Sequence, residues 1–367
     1  MSLGLKYRNI ETERESSKIY EVIKNKATIN SEYKIRKYYV NDHNTLFKEI
    51  RIVPYKDVIP KEWLFKTERR KRALSEVEFA DGLIKTLRKY IKKVWSQKKH
   101  HAVFHSSGWD SRIISTIIRK LYEELGDRWL GEIKFVCFGS ECKIVKTILE
   151  AEGWKDDIPL ILPLDTSYYV SNLDFQRAWK YVNGYAPYPV NNFYWSVNEL
   201  TKRHLIPENP SKTQVWAASY FNELIKATSP QKTVMIDPFL RKYYYSTYSH
   251  FVSALLHDVI QPILNHDTLR FVLEAKTTFH ENPRILVVKR LDRKLADVLP
   301  CPPSTRPPIP RFYLKKIRED YENSWYGTNI LQSPKFTGKL LYSDWWSAWS
   351  AASFIEHLIK QGVHVLV

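Results

Sequence analysis

From Ser75 to Trp95 the apolar residues Val77, Leu83, Ile84, Leu87, Ile91 and Val94 fall on one stripe at helical spacing, which predicts an amphipathic helix. It delivers the chain to a short apolar run at 101–105 that reads as a strand. The following "IISTIIRKLYEEL" returns to helical spacing. The alternation then repeats. "EIKFVCFG" (132–139) predicts a buried strand, "SECKIVKTILEAEG" (140–153) a helix closed by Gly153, and "IPLILPL" (158–164) a third strand. "NNFYWSVNELTKRHL" predicts a helix, "KTQVWAAS" a fourth strand and "YFNELIKA" a short helix. Strands separated by helices need crossover connections, so the expected class is α/β, a doubly wound parallel sheet covered on both faces. Ligands in such sheets bind at the carboxyl ends of strands. Residues 105–111, 138–140 and 218–223 occupy such ends.

The flanks read differently. "SEYKIRKYYVND" and "TLFKEIRIVPYKDV" alternate with period two and predict two strands of a small sheet, with Pro54 and Pro60 punctuating the exit. Residues 1–69 are thus expected to form a small basic N-terminal unit, and 70–367 the main domain. Beyond Ile236 the pattern turns helical in "FVSALLHDVIQPILN", "DTLRFVLEA" and "RILVVKRLDRKLADVL". The proline-rich "PCPPSTRPPIPR" must be a loop, and "SDWWSAWSAASFIEHLIKQG" reads as an aromatic closing helix ended by Gly362. Its tryptophans fall on helix-compatible spacings that suit a core better than a ligand cage.

Composition narrows the class. The chain has 367 residues, 44% hydrophobic and 14% aromatic, enough for a large core. No run approaches the roughly 18 apolar residues of a membrane helix, and the charged N-terminus does not read as a secretory signal, so a cytoplasmic location with no membrane contact is expected. Cys137, Cys142 and Cys301 are too few and scattered for a disulfide framework or a zinc site, and the first two are expected to be small buried residues. Net charge is +17, and residues 1–100 carry 25 Lys+Arg against 13 Asp+Glu, a difference of +12. "KTERRKR" and "KKVWSQKKHH" concentrate it. Such a surface serves either as a solvated helix face or as a nucleic-acid contact through the basic N-terminal region.

The chemistry centres on "HSSGWDS", residues 105–111, between the first strand and its helix. Small residues let backbone N–H groups approach an oxyanion, and the helix points its positive end at the same spot. Ser106 and Ser111 add hydroxyls. Asp110 would repel a phosphate unless a metal lies between them, so the set points to phosphate plus Mg²⁺. The loop is neither a Walker loop, lacking G-K-[ST], nor a dinucleotide fingerprint.

The pattern resembles the S-G-G-x-D-S pyrophosphate loop (PP-loop) of the ATP pyrophosphatase superfamily, the nucleotide alpha-hydrolase-like fold. Ser106, Gly108, Asp110 and Ser111 match, and Ser107 stands where the first glycine is expected. Within that superfamily the chain is similar to the synthetase domain of asparagine synthetases and β-lactam synthetase. Arg112, "PVNNFYWSVNEL" (189–200), "AASYFNEL" (217–224), "QPILNHDTLRFVLEA" (261–275) and "KRLDRKLADVLP" (289–300) carry that likeness. The resemblance implies an ATP- and Mg²⁺-dependent ligase that adenylates a carboxylate, releases pyrophosphate and forms an amide with an amine. His105, Ser106, Ser107, Gly108, Asp110 and Ser111 would hold the pyrophosphate portion, and Phe138 and Gly139 the adenosine. Asp110 with Asn222 or Glu223 would hold the metal. The family's R-x-K loop is replaced by Arg306-Pro307-Pro308, leaving Arg306, Lys315 and Lys316 as candidate catalytic cations, with Arg311 a further candidate. Asn222 stands for an aspartate, and residues 1–69 are expected to be too short for a glutaminase domain. Alternatives from other classes are a degenerate scaffold protein of this fold and an enzyme adenylating a base in tRNA. His100 and His101 face opposite ways on a strand and are expected at the surface, and His266 is expected at a helix entry.

Overall fold

The computed structural model describes residues 6–30, 45, 47–58, 72–138, 141–154, 160–164, 204–218, 221, 258–300, 319, 322–323, 328–329, 355–356 and 358–366. The strand expected at 31–42 lies outside them, as do all but the last two residues of the helix expected at 191–205 and all but the first of the loop at 300–311; His204 and Leu205 form a turn and not a helix end. The N-terminal part opens with strands β1 (Tyr7–Asn9) and β2 (Glu15–Ser16), a short helix α1 (Ile19–Val22), then β3 (Lys26–Thr28) and β4 (Ile50–Ile52). Strand β1 pairs antiparallel with both β2 and β4. A turn of helix α2 (Tyr55–Val58) and strand β5 (Arg72–Ala73) lead to helix α3 (Glu76–Val94).

Helix α3 starts where its sequence dictates. Ser75 Oγ accepts the Glu78 N–H at 3.2 Å, and the Glu78 carboxylate accepts the Ser75 N–H at 2.8 Å, a reciprocal capping box. Its stripe of Phe79, Ala80, Leu83, Leu87 and Ile91 is fully buried.

The central layer follows: β6 (His100–Phe104), α4 (Trp109–Leu125), the short α5 (Asp127–Leu130), β7 (Glu132–Phe138), α6 (Glu141–Ala151), β8 (Leu160–Leu164), β9 (Thr213–Trp216) and β10 (Asp258–Ile260). The five strands form one parallel sheet in the order β10-β9-β6-β7-β8. Counted along the chain this is fifth, fourth, first, second, third, the doubly wound arrangement with its reversal between β6 and β9. All four residues of β9, and all of β6 after His100, are buried rather than alternating, which marks a sheet shielded on both faces.

Strand β10 departs from the sequence reading. The run 251–265 reads as helical, yet Asp258–Ile260 pairs parallel with β9, and Pro262–Leu264 is a single 3₁₀ turn. A short apolar run has no period of its own; Val259, Ile260 and the helix-breaking Pro262 decide for a strand. Helix α7 (His266–Glu274) then begins at His266 as expected, and β11 (Ala275–Lys276) pairs with β5. The stretch read as one helix at 284–299 is two, α8 (Pro283–Leu291) and α9 (Arg293–Ala296). They are split at Asp292, whose carboxylate accepts the Lys294 N–H at 3.0 Å. Helices α3, α4 and α8 pack on one another, and α6 lies on β7 and β8. After helical residues 358–360 and Gly362, at φ 83°, strand β12 (His364–Leu366) pairs parallel with β3. No helix among the described residues is long and apolar enough to cross a membrane.

Two expectations about single residues are overturned. His101 is buried: its ring stacks on Trp95 at 3.7 Å, Nδ1 accepts from Trp216 Nε1 at 3.0 Å, and Nε2 lies 3.0 Å from the Ser96 carbonyl. His100, on the opposite side of the strand, pairs with Glu132. Cys137 and Cys142 are not independent thiols but a disulfide pair with Cα atoms 5.5 Å apart, because β7 delivers one beside the start of the helix that carries the other.

Candidate functional site

The loop 105–108 leaves the sheet at the carboxyl end of β6, where the strand order reverses. The His105 N–H still donates to the Val136 carbonyl at 2.8 Å, so the turn begins within the ladder. Across the reversal β9 ends at Trp216. Asp110, in the first turn of α4, reaches over: its Oδ2 accepts the Phe221 N–H at 3.3 Å, and its Oδ1 pairs with Arg284 at 3.3 Å. One carboxylate therefore touches the exits of the first and fourth strands and the start of α8. It does not cap its helix: the N-cap is Gly108, which makes no side-chain cap bond.

The serines shape the turn. Ser111 Oγ donates to the Ser106 carbonyl at 2.7 Å and lies 3.0 Å from Ser106 Oγ, which accepts the Gly108 N–H at 3.2 Å. A Cβ at Gly108 would meet Ser106 Oγ at 3.0 Å, so the hydroxyl fills the space that a side chain there would take. Ser107 holds no left-handed backbone: only Glu13 and His204 do among the described non-glycine residues. Its replacement of a glycine therefore carries no φ strain.

Beneath the loop lies a buried polar network. Arg112 is fully enclosed; it donates to the Leu295 and Val298 carbonyls at 2.6 Å each and to the Ser107 carbonyl at 3.0 Å, and its guanidinium lies 4.3 Å over the Trp109 ring. Burial draws its pKa down to about 10, with Glu152 pulling the other way. Glu152 accepts from Ser115 Oγ at 2.6 Å, Thr116 Oγ1 at 2.8 Å and Trp154 Nε1 at 2.9 Å. Burial outweighs these bonds and raises its pKa to about 7. Ser115 Oγ is also 3.0 Å from His105 Nε2. Burial and Arg112 lower His105 to about 3, so its ring is neutral at physiological pH. With the Ser115 proton on Glu152, His105 is the Nε2–H tautomer and donates to Ser115.

The structure thus gathers His105, Ser106, Ser107, Gly108, Asp110 and Ser111 in one turn. Phe138 is the last residue of β7, and nothing is described of its side chain. Gly139, Asn222, Glu223, Arg306, Arg311, Lys315 and Lys316 lie outside the described residues. Among the described residues no group of three or more His, Cys, Asp or Glu side chains converges on a metal position. The cradle suits an oxyanion: a helix N-terminus without a side-chain cap, two hydroxyls, and Arg284 beside Asp110. For a cation the described residues offer Asp110 alone, with Arg284 as its present counter-charge.

Sequence reading missed Arg284, Glu152 and the clamp made by Arg112. A faint signal existed for two of them. Arg284 stands in the first turn of α8 and Glu152 just past the end of α6, each on the wrong side of its helix dipole. A charge so placed needs a partner elsewhere in the fold.

Two cavities flank α4. One, of about 300 Å³ beside Arg119, Tyr122 and Trp154, lies at the far end from the loop. The other, about 470 Å³, is a basic groove between α3, α4 and α8, lined by Asp81, Lys85, Arg88, Lys120 and Arg290 among others. Arg290 pairs with Asp81 at 2.9 Å and Arg88 with Glu124, while Lys85 and Lys120 make no ion pair among the described residues.

No family model matches the chain, and no curated protein matches it by sequence. Among solved structures it is similar to the U34-tRNA thiolase NcsA from Methanococcus maripaludis with its 4Fe–4S cluster. The identity is 12% and the TM-score 0.34, over 79% of this chain and 85% of that one.

Proposed function

We propose that this protein is an ATP-binding enzyme of the PP-loop kind that adenylates its substrate and releases pyrophosphate. One observation carries the reading. The serine- and glycine-containing turn 105–111 lies at the strand-order reversal, where open α/β sheets hold their ligands, and a helix N-terminus opens into it. Backbone N–H groups of the turn and the Ser106 hydroxyl would hold the pyrophosphate portion, with Phe138 and Gly139 beside the adenosine. Arg284 supplies positive charge where negative charge develops on the leaving group. Asp110, with Asn222 or Glu223, would hold Mg²⁺, which would supply positive charge to the phosphates. Arg284, which pairs with Asp110 in this structure, would turn towards phosphate if Asp110 held the metal instead.

Two acceptors are compatible with this chemistry. The resemblance to asparagine synthetases favours a carboxylate that goes on to an amide. The basic groove favours a base in tRNA. It is built on α4 and α8, the two helices whose first turns carry Asp110 and Arg284. Lys120 lies ten residues along α4 from Asp110, about 15 Å, and Arg290 six residues along α8 from Arg284, about 9 Å. A phosphate backbone in the groove would present a nucleotide to the turn. Calorimetry with ATP, with AMP plus pyrophosphate and with tRNA, each with and without Mg²⁺, tests the proposal. ATP binding that strengthens with Mg²⁺ is the expected result. No nucleotide binding at millimolar ligand would overturn it in favour of a scaffold. Salt-sensitive tRNA binding that weakens when Lys85 and Lys120 of the groove are replaced by alanine selects the tRNA acceptor; its absence alongside ATP binding selects the carboxylate.

A further inference from the structure

The carboxyl end of β7 is the neighbour of the turn at 105–108, joined to it by the bond from the His105 N–H to the Val136 carbonyl. Its exit is tied down covalently. Cys137, on β7, is fully buried; Cys142, in the first turn of the eleven-residue helix α6, is half-buried and bonded to it. The bridge closes a ring over residues 137–142, so strand end and helix start cannot separate. The two sulfurs differ in access. An external thiol reaches Cys142 first, and the amino end of α6 favours the thiolate that forms there.

We propose that Cys137 and Cys142 form a redox-reversible latch on the sheet's ligand-facing edge, operated by thiol–disulfide exchange with a low-molecular-weight thiol such as glutathione. In reduction an external thiolate attacks Sγ of Cys142; the Cys137–Cys142 bond breaks and Cys137 leaves as a thiolate and takes a proton. A second external thiolate then attacks the external sulfur of the mixed disulfide. The external disulfide departs, and Cys142 is freed as a thiol. Two external thiols are oxidised, and one protein disulfide is reduced to two thiols. Oxidation is the reverse. Release allows the first turn of α6 to part from β7 and widens the edge beside the phosphate-binding turn. The latch stands on the cysteine pair alone, so it survives even if the crevice takes no nucleotide.

The test uses the full chain in glutathione buffers of graded ratio, quenched with acid and labelled with N-ethylmaleimide after denaturation. Lys134 and Lys143 flank the pair, so trypsin yields one peptide, 135–143, carrying both cysteines, and Cys301 serves as the labelling control. The expected result is a peptide without label in oxidising buffer that gains two labels together as the buffer becomes reducing. Hydrogen exchange over 138–148 should then rise at least about tenfold on reduction, from the loop-closure entropy the bridge removes. Cys142→Ser should exchange at the reduced rate in both buffers, while strand amides 133–136 stay unchanged. A doubly labelled peptide in oxidising buffer would overturn the latch, and so would equal exchange over 138–148 in the two redox states.

Discussion

Asp110 joins three segments through four atoms, and that shapes what its substitution does. In Asp110→Asn the amide oxygen still accepts the Phe221 N–H, and the lost Arg284 pair is partly solvated, so the fold should persist. ATP affinity in Mg²⁺ should fall at least about tenfold, because the charge that offsets metal and guanidinium is gone. Titration beside wild type, with and without Mg²⁺, checks this; unchanged affinity would remove the metal role. Glu152 makes a prediction about pH. Its folded pKa, about 7, lies above the ordinary 4.5, so between these values the folded state binds more protons than the unfolded state. The stability this gives is complete below about 4.5 and is lost as pH rises through 7, on the order of 3 kcal/mol for this site. His105 and His101, both lowered to about 3, act oppositely: their contribution is complete above 6.5 and lost as pH falls towards 3. Glu152→Gln keeps an acceptor for Ser115 and Thr116 and titrates no proton. Stability of wild type relative to Glu152→Gln, from urea unfolding at pH 4 to 8, should therefore decline as pH rises. A flat difference would place the titration elsewhere.

At the level of elements, what was legible followed from strong periodicity and local caps. Helix α3 shows both, and its capping box makes Ser75→Ala worth about 1 kcal/mol of stability, read as a lower urea midpoint with unchanged slope. A midpoint equal to wild type would mean that the exposed cap adds nothing beyond solvent. Strands β6, β7, β8 and β9 were readable because buried parallel strands are continuous apolar runs. Strand β10 was not, since three residues beside a proline have no period, and only the free edge of β9 gives them a partner. The break at Asp292 was hidden for a related reason: the apolar spacing runs through it, and the interruption is a local bond to Lys294. In the turn at 105–111 the residue types pointed to the place, but not to what holds it. The Arg112 clamp on the Leu295 and Val298 carbonyls spans more than 180 residues of sequence and leaves no local trace. The disulfide was masked by composition: three cysteines form no framework, and only the placement of β7 against α6 brings two together.

For the molecule as a whole, a net charge of +17 attracts any polyanion, so affinity for RNA alone would say little. The informative quantity is where the attraction is concentrated. On α3 the residues Asp81, Lys85, Arg88 and Lys92 repeat every three or four positions and so share one face. Glu124 on α4 engages Arg88 and Lys92, and Asp81 engages Arg290. These pairs leave Lys85 and Lys120 as the groove's uncompensated cations among the described residues, one on each wall. A phosphate between them would meet both without breaking an existing pair. Each lysine that contacts a phosphate contributes about 0.9 to 0.7 to the salt slope of binding, for duplex and single strands respectively. The double variant Lys85→Ala/Lys120→Ala should therefore lower tRNA affinity and flatten the plot of log K against log salt by roughly 1.5. Lys146→Ala, at an exposed position of α6 and already paired with Glu150, removes charge away from the groove and should leave the slope near that of wild type. Filter binding over a range of salt concentrations measures both. If the two variants change the slope alike, the protein's RNA affinity belongs to its overall charge, and the groove has no part in presenting a nucleotide to the turn at 105–111.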